Sequence, residues 1–143
     1  MNRIKRMTNI ALIAAVYFVL GMALQSLSFS AIQIRIAEAL IITAIVSKDG
    51  IYGTTLGCLI TNAIGVAMGF GGFGVLDIIF GTLITFVASS LAYYFRNVRF
   101  SSYDIPLVSL MMPVILNAIG LPLVFAFAYH QAFILNVYLF EFT

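Results

Sequence analysis

The sequence predicts an all-α integral membrane protein that folds as a single transmembrane domain over residues 1–143. Hydrophobic residues make up 63% of the chain and charged residues only 8%, which leaves too little polar surface to cover a soluble globule. Apolar segments recur to the end of the chain, so one signal peptide does not explain them. A bilayer of about 30 Å requires roughly 20 apolar residues per helix, which gives room for about five or six spans. No soluble catalytic or nucleic-acid-binding domain fits, and we expect no enzymatic activity.

The first span is expected to cover residues 8 to about 24, with Thr8 or Asn9 as its N-cap. The basic residues that precede it are Arg3, Lys5 and Arg6. Under the positive-inside rule they keep the amino terminus in the cytoplasm. Ala11 and Ala15 form a small-residue stripe along which another helix can approach closely. The stripe is either an internal packing face or a docking face, and the residue types alone favour internal packing.

The second span begins at Glu38 and ends near Val46, which is short for a full crossing. The more polar residues 25–37 before it are expected at the outer surface, as a loop or a short re-entrant segment. Part of this stretch, residues 31–37, is expected to join the second span.

An inner turn is predicted at residues 47–50, and the third span follows from residue 51 to about 68. Gly53 and Gly57 in this span have the spacing that favours close approach of two helix backbones. Cys58 is the only cysteine, so no intramolecular disulfide can form, and we expect it to be a small packing residue at a helix contact.

A glycine-rich outer loop, residues 69–75, precedes the fourth span. It is not a phosphate-binding loop, because Asp77 follows the glycines where a phosphate site needs Lys and Ser or Thr. Asp77 begins the fourth span, which ends near Phe95. Arg96 and Arg99 then lie on the cytoplasmic side, as the charge rule requires.

The fifth span is predicted from residue 106 to about 129, with a kink because Pro113 and Pro122 lie inside it. Residues 133–142 would begin a sixth span. The sequence stops after about half the length that a crossing needs, so we expect a six-helix bundle whose last helix is cut short.

Four polar residues are predicted to lie in the outer half of the membrane: Glu38, Asn62, Asp77 and Asn117. A carboxylate in the hydrocarbon costs about 2.5 to 3.5 kcal/mol even on the mildest scale. Each residue taken alone has a structural explanation. Glu38 can pair with Arg35 on one helix face, Asp77 can cap a helix, and the asparagines can join helices by hydrogen bonds. Their shared depth favours a binding site instead.

Together with Gln33 and Arg35, these four residues suit a small, planar, hydrogen-bonding ligand that carries a positive charge. A carboxamide both donates and accepts, which matches the edge of a heterocyclic base, and a carboxylate neutralises an amine. No metal site is expected, because His130 is the only histidine and has no cysteine or histidine near it in sequence.

Four ordered motifs resemble the queuosine-precursor transporter (QueT) family. They are IQIRIAEAL at residues 32–40, LGCLITN at 56–62, DIIFGTL at 77–83 and NAIG at 117–120. The resemblance extends from about Arg6 to Asn136, in the family's order, which makes it far more specific than any one motif. The family differs at the carboxyl terminus, where it completes a sixth helix.

This resemblance implies the substrate-binding S-component of a bacterial energy-coupling factor (ECF) transporter in the plasma membrane. The implied partners are a transmembrane coupling subunit and two ATPases, which use the ATP, so this chain needs no cofactor. The implied substrate is a queuosine precursor, either aminomethyl-deazaguanine or queuine. Glu38 and Asp77 become candidates for the amine or the ring N–H groups, and Asn62 and Asn117 for the base edge. Ala11 and Ala15 match the alanine motif with which S-components dock on the coupling subunit.

Three alternatives stay open: an S-component for another vitamin, a stand-alone proton-coupled carrier in which Glu38 or Asp77 titrates, and a structural membrane subunit. Transport without ATPase partners would favour the carrier. Loss of stability alone in Glu38→Gln and Asp77→Asn variants would favour the structural subunit.

Overall fold

The computed structural model describes residues 2–24, 36–69, 75–98 and 106–129, and at residues 36–38, 77, 121, 122 and 124–129 it describes the backbone only. The described chain forms five α-helices: α1 Arg3–Ala23, α2 Ile42–Val46, α3 Lys48–Ala67, α4 Val75–Tyr94 and α5 Leu107–Tyr129. A 3-10 helix, Ile36–Ile41, leads into α2, and another, Phe95–Asn97, ends α4. No strand occurs in these ranges, which confirms the all-α class. The predicted sixth span, residues 133–142, lies outside the described residues, so a count of six is not established.

Three helical stretches of the described chain are long and apolar enough to cross a membrane: Arg3–Ala23, Lys48–Ala67 and Ile78–Asn97. A shorter apolar stretch, Leu107–Gly120, begins α5. Helices of this length and composition bury their backbone polar groups in their own hydrogen bonds, as the bilayer interior demands. The prediction of an integral membrane protein is confirmed at this level.

Contacts between helices fix their relative directions. Gly53 of α3 abuts Ile13 of α1, and Gly57, one turn later, abuts Tyr17, so α1 and α3 run parallel. Between α3 and α4 the partners run in opposite orders: Thr54 contacts Ser89, and Cys58 contacts Thr85. These two helices are therefore antiparallel.

Helices α4 and α5 are antiparallel as well. The Ser109 hydroxyl donates to the Ala92 carbonyl at 2.8 Å, and Gly120 faces Ile84. The relative directions of α1, α3, α4 and α5 thus agree with those predicted for the first, third, fourth and fifth spans.

The α1–α3 contact is close because glycines remove side chains from it. A Cβ atom on Gly53 would lie 2.6 Å from Ile13 Cβ, and one on Gly57 would lie 2.6 Å from Tyr17 Cβ. In a bilayer, apolar burial does not drive helices together, so close backbone packing of this kind supplies the association. The predicted close approach at Gly53 and Gly57 is confirmed.

A small apolar core joins α2 to α3 and α4. Its buried members are Ile41, Ala44, Ile51, Ala88 and Ala92. The segment from Ile36 to Val46 has only 11 residues in its two helical parts, 6 in the 3-10 helix and 5 in α2, which agrees with the short second span predicted from the sequence.

Two local predictions are wrong. Residues 47–50 do not form a turn: only Ser47 is extended, and α3 already begins at Lys48. Thr8 and Asn9 do not cap α1, which begins at Arg3 after Asn2, so that the Thr8 hydroxyl bonds the Ile4 carbonyl within the helix. Tertiary contacts explain the first difference, because Asp49 bonds to side chains of α1.

Candidate functional site

A buried polar seam runs between α3 and α4. On α3 it comprises Thr54, Cys58 and Asn62, which are four residues apart and therefore share one face of the helix. Ser89 and Thr85 of α4 meet the first two. All five side chains are buried, none more than 5% exposed. Polar groups at this depth have no water to bond, so the two helices satisfy one another's groups.

The first contact of the seam joins Thr54 Oγ1 to Ser89 Oγ at 3.0 Å. Because Thr54 also donates to the Gly50 carbonyl at 2.7 Å, its single hydroxyl proton is used, and Ser89 is the donor between the two. The second contact places Thr85 Oγ1 3.3 Å from Cys58 Sγ. Cys58 is 1% exposed and also packs against Tyr17 of α1, as predicted for a small residue at a helix contact.

Asn62 continues the seam on α3. It is 5% exposed, and its Nδ2 donates to Cys58 Sγ at 3.4 Å. Continuing the α3–α4 pairing by one turn places Gly81 of α4 opposite Asn62. Asn62 was predicted as a binding residue, and the structure places it in the buried polar seam.

Asn117 lies on α5, one turn before the glycine that faces Ile84 of α4. The residue is half-buried, and its Oδ1 atom is buried. It therefore lies on the α4 side of its helix. The two predicted carboxamides approach α4 from its two neighbours, α3 and α5.

The predicted carboxylates are located by their backbone only. Glu38 lies in the 3-10 helix, two residues before Leu40, which packs against Tyr17 and Cys58. Asp77 is the third residue of α4, one turn before Gly81, and so is not the N-cap of that helix. Gln33 and Arg35 lie outside the described residues. The suggested Arg35–Glu38 ion pair and the contacts of the Glu38 and Asp77 carboxylates therefore lie outside the described structure.

Ala11 and Ala15 are exposed on α1, whereas Ala14 between them is 4% exposed and lies against Gly57. The three alanines therefore belong to two faces of the helix. Ala14 serves the contact with α3, and the predicted docking pair faces away from the described helices.

One end of the bundle carries a basic and aromatic cluster that the sequence reading missed. Asp49, buried at the start of α3, receives Arg6 Nε at 3.2 Å and Asn9 Nδ2 at 3.5 Å from α1. The Arg6 guanidinium also lies 5.4 Å from the centre of the Tyr52 ring. These contacts fix the start of α1 to the start of α3, and the favourable charge of a carboxylate at a helix N-terminus adds to them.

The same end includes contacts from α4. Lys48 and Arg96 lie 5.9 and 4.2 Å from the centre of the Tyr93 ring, within the range of cation–π attraction. The signal for this cluster in the sequence is the recurrence of basic residues at alternate span ends. Its partners become visible only when the helices are placed side by side.

The chemistry of the seam is neutral and hydrogen-bonding. In the part of the chain that the structure describes, no group of three or more His, Cys, Asp or Glu side chains is placed to hold a metal ion. Hydroxyl, thiol and carboxamide groups in an apolar surrounding can recognise a planar polar solute through hydrogen bonds.

Long apolar helices packed around a buried polar seam define a polytopic α-helical membrane protein. A family model described as the QueT transporter matches residues 7–142, nearly the whole chain. The chain belongs to the QueT transporter family, which confirms the resemblance given by its motifs. The family that this model describes is one of transporters.

One curated relative is the queuosine precursor transporter QueT of Lactococcus lactis subsp. cremoris (strain MG1363). The two chains are 39% identical over 85 residues, which is 58% of this chain. The matched part spans 46% of the relative's length. No solved structure matches the chain.

Proposed function

We propose that this chain is the substrate-binding membrane component of an ATP-driven ECF importer, which captures a queuosine precursor from outside the cell. Membership of the QueT transporter family carries the proposal, and the name of the Lactococcus relative indicates the substrate. The observation in the structure that supports it is Asn62, a predicted ligand residue that lies in the buried polar seam between α3 and α4.

The substrate, aminomethyl-deazaguanine or queuine, has a purine-like ring and an amine. In this proposal Asn62 and Asn117 bond the edge of the ring, because a carboxamide supplies a donor and an acceptor side by side. Glu38 and Asp77 bind the amine or the ring N–H groups as charge-assisted partners. Gln33 and Arg35 complete the site from the outer segment.

The proposed orientation has the amino terminus in the cytoplasm. Arg6, Lys48 and Arg96 belong to α1, α3 and the end of α4, and their contacts bring these three helix ends to one side of the bundle. Under the positive-inside rule this side is cytoplasmic. Asn62 and Asp77 then lie toward the outer side, where substrate enters.

The proposed partners are a transmembrane coupling subunit and two ATPases, with the exposed pair Ala11 and Ala15 as the docking surface. Replacing both alanines with leucine should abolish assembly with the coupling subunit and leave substrate binding unchanged, as measured by co-purification and by titration. Val16→Phe is the matched control, because Val16 is also exposed on α1 but lies about 100° around the helix from Ala15. Assembly that survives the double substitution would exclude this docking surface.

A thermal-shift panel tests the substrate. The purified chain is heated with aminomethyl-deazaguanine, queuine, guanine and common vitamins. A bound ligand at free concentration L stabilises the folded protein by RT ln(1 + L/Kd) and so raises its unfolding temperature. We expect stabilisation by one or both deazaguanines and not by guanine, which lacks their aliphatic amine. Stabilisation by another vitamin alone would show that this vitamin, and not a queuosine precursor, is the substrate. Uptake by the chain without ATPases would contradict the ECF mechanism.

A further inference from the structure

We propose that Thr82 is a specificity-determining residue, whose hydroxyl forms a hydrogen bond with the polar edge of the bound heterocycle. This inference rests on the proposed function and adds to it a residue of α4. It is carried by one atom, Thr82 Oγ1, which is buried and makes no hydrogen bond in the described structure.

Thr82 is an exception among the threonines. Each of the other six described threonines donates its hydroxyl to a carbonyl three or four residues earlier in its own helical segment; they are Thr8, Thr43, Thr54, Thr55, Thr61 and Thr85. That back-bond is the ordinary way in which a threonine in a helix satisfies its hydroxyl. Thr82 lies inside α4, with helical residues three and four positions before it, yet its buried hydroxyl makes no such bond in the described structure. A buried polar atom of this kind needs an explanation.

The position of Thr82 supplies one. Thr82, Thr85 and Ser89 follow one another at intervals of three and four residues, so they form one stripe of α4. The side chains of Ser89 and Thr85 contact Thr54 and Cys58 of α3, respectively. Thr82 is the next member of the stripe, at the level of Asn62.

The hydrogen bonding of the buried hydroxyls therefore differs between the two ends of the seam. Toward the basic end the Thr54 and Ser89 hydroxyls bond to each other. At the level of Asn62, the buried Thr82 hydroxyl has no hydrogen-bond partner among the described residues. A hydroxyl both donates and accepts, so it can bond either a ring carbonyl or a ring N–H group. Bonding to a ligand would satisfy this group only in the occupied protein, which is how a buried polar group confers selectivity.

The test compares Thr82→Val, Thr82→Ser and Thr55→Val in binding of aminomethyl-deazaguanine and queuine and in unfolding without ligand. Valine has nearly the shape of threonine without its hydroxyl, and serine keeps the hydroxyl. Thr55 is the matched control, since its hydroxyl bonds only within α3.

We expect Thr82→Val to weaken binding about fivefold or more, the effect of losing one buried hydrogen bond, while the empty variant unfolds at the same or a higher temperature. Thr82→Ser should bind within about twofold of the wild type, and Thr55→Val should bind normally. Unchanged binding by Thr82→Val, beside a wild type that binds, overturns this assignment alone. Lost stability in Thr82→Val that serine restores assigns the hydroxyl a structural role and also overturns it. Absence of binding by the wild type overturns the proposed function itself.

Discussion

Replacing Gly57 with alanine should loosen the contact between α1 and α3. The added Cβ would lie 2.6 Å from Tyr17 Cβ, 2.9 Å from Tyr17 Cγ and 3.1 Å from the Ala14 carbonyl oxygen. These atoms cannot rotate away, because two belong to the stem of a side chain that is 3% exposed and one to the backbone. Overpacking of this kind costs about 1 to 3 kcal/mol. The gain in helix propensity from glycine to alanine offsets about 0.5 to 1 kcal/mol.

A net loss of about 1 kcal/mol, and at most about 2.5 kcal/mol, in the free energy of unfolding is therefore expected for Gly57→Ala, measured by denaturant titration in mild detergent. Gly120→Ala is the matched control. Its added Cβ would meet the terminal Cδ1 of Ile84 at 2.9 Å, and this end of a flexible side chain can turn aside. We expect Gly120→Ala to be as stable as the wild type or slightly more so. If Gly57→Ala is the more stable of the two, the close parallel packing of α1 and α3 is refuted.

Three further predictions concern buried polar contacts. Arg6→Ala should destabilise the protein more than Asp49→Ala in denaturant titrations. The first variant leaves a buried carboxylate without its ion-pair partner, whereas the second leaves only a half-exposed guanidinium. The reverse order would refute the pairing. Thr54→Val should lower the free energy of unfolding by about 1 kcal/mol or more. Adding Ser89→Ala should lower it little further, because the two residues share one hydrogen bond. Additive losses in the same titrations would contradict the contact. Cys58 should resist a maleimide reagent in the folded protein and react after unfolding in detergent, and rapid labelling of the native protein would show that the thiol is not buried.

The fold could be predicted from the sequence as far as apolar length determines it. The start of α5 after Pro106 and the end of α4 before Arg96 follow from hydropathy, proline and charge, and both agree with the structure within one or two residues. Residues 47–50 show the limit. An Asp-Gly pair is typical of a turn, yet Asp49 bonds Arg6 and Asn9 of α1 and is thereby held in the first turn of α3.

The sequence allows the polar residues of the candidate site to be predicted by their type, but not the residues that they contact. An asparagine in an apolar span indicates a buried polar contact, and Asn62 makes one with Cys58. Which residues meet across α3 and α4 depends on the register of two antiparallel helices, since a shift of one turn would separate Thr54 from Ser89. Thr82 carries no signal in the sequence, because threonine in an apolar helix ordinarily satisfies its hydroxyl within that helix.

The alanines of α1 are a further example. Their spacing predicts a small-residue surface but does not say which neighbour it faces. In the structure Ala14 meets α3, whereas Ala11 and Ala15 do not. The division follows from the position of Gly57, a residue more than 40 positions away in sequence. Spacing within one helix therefore could not separate packing from docking.

We propose that this chain binds a queuosine precursor at the polar residues in the outer half of the membrane. Calorimetric titration of the wild type in lipid nanodiscs with aminomethyl-deazaguanine and queuine, beside the variants Glu38→Gln, Asn62→Ala and Asp77→Asn, tests it most directly. We expect saturable binding at one site per chain, weakened about tenfold or more in each variant. A wild type that binds no deazaguanine, with variants that differ from it only in stability, would show that these residues do not form a deazaguanine site.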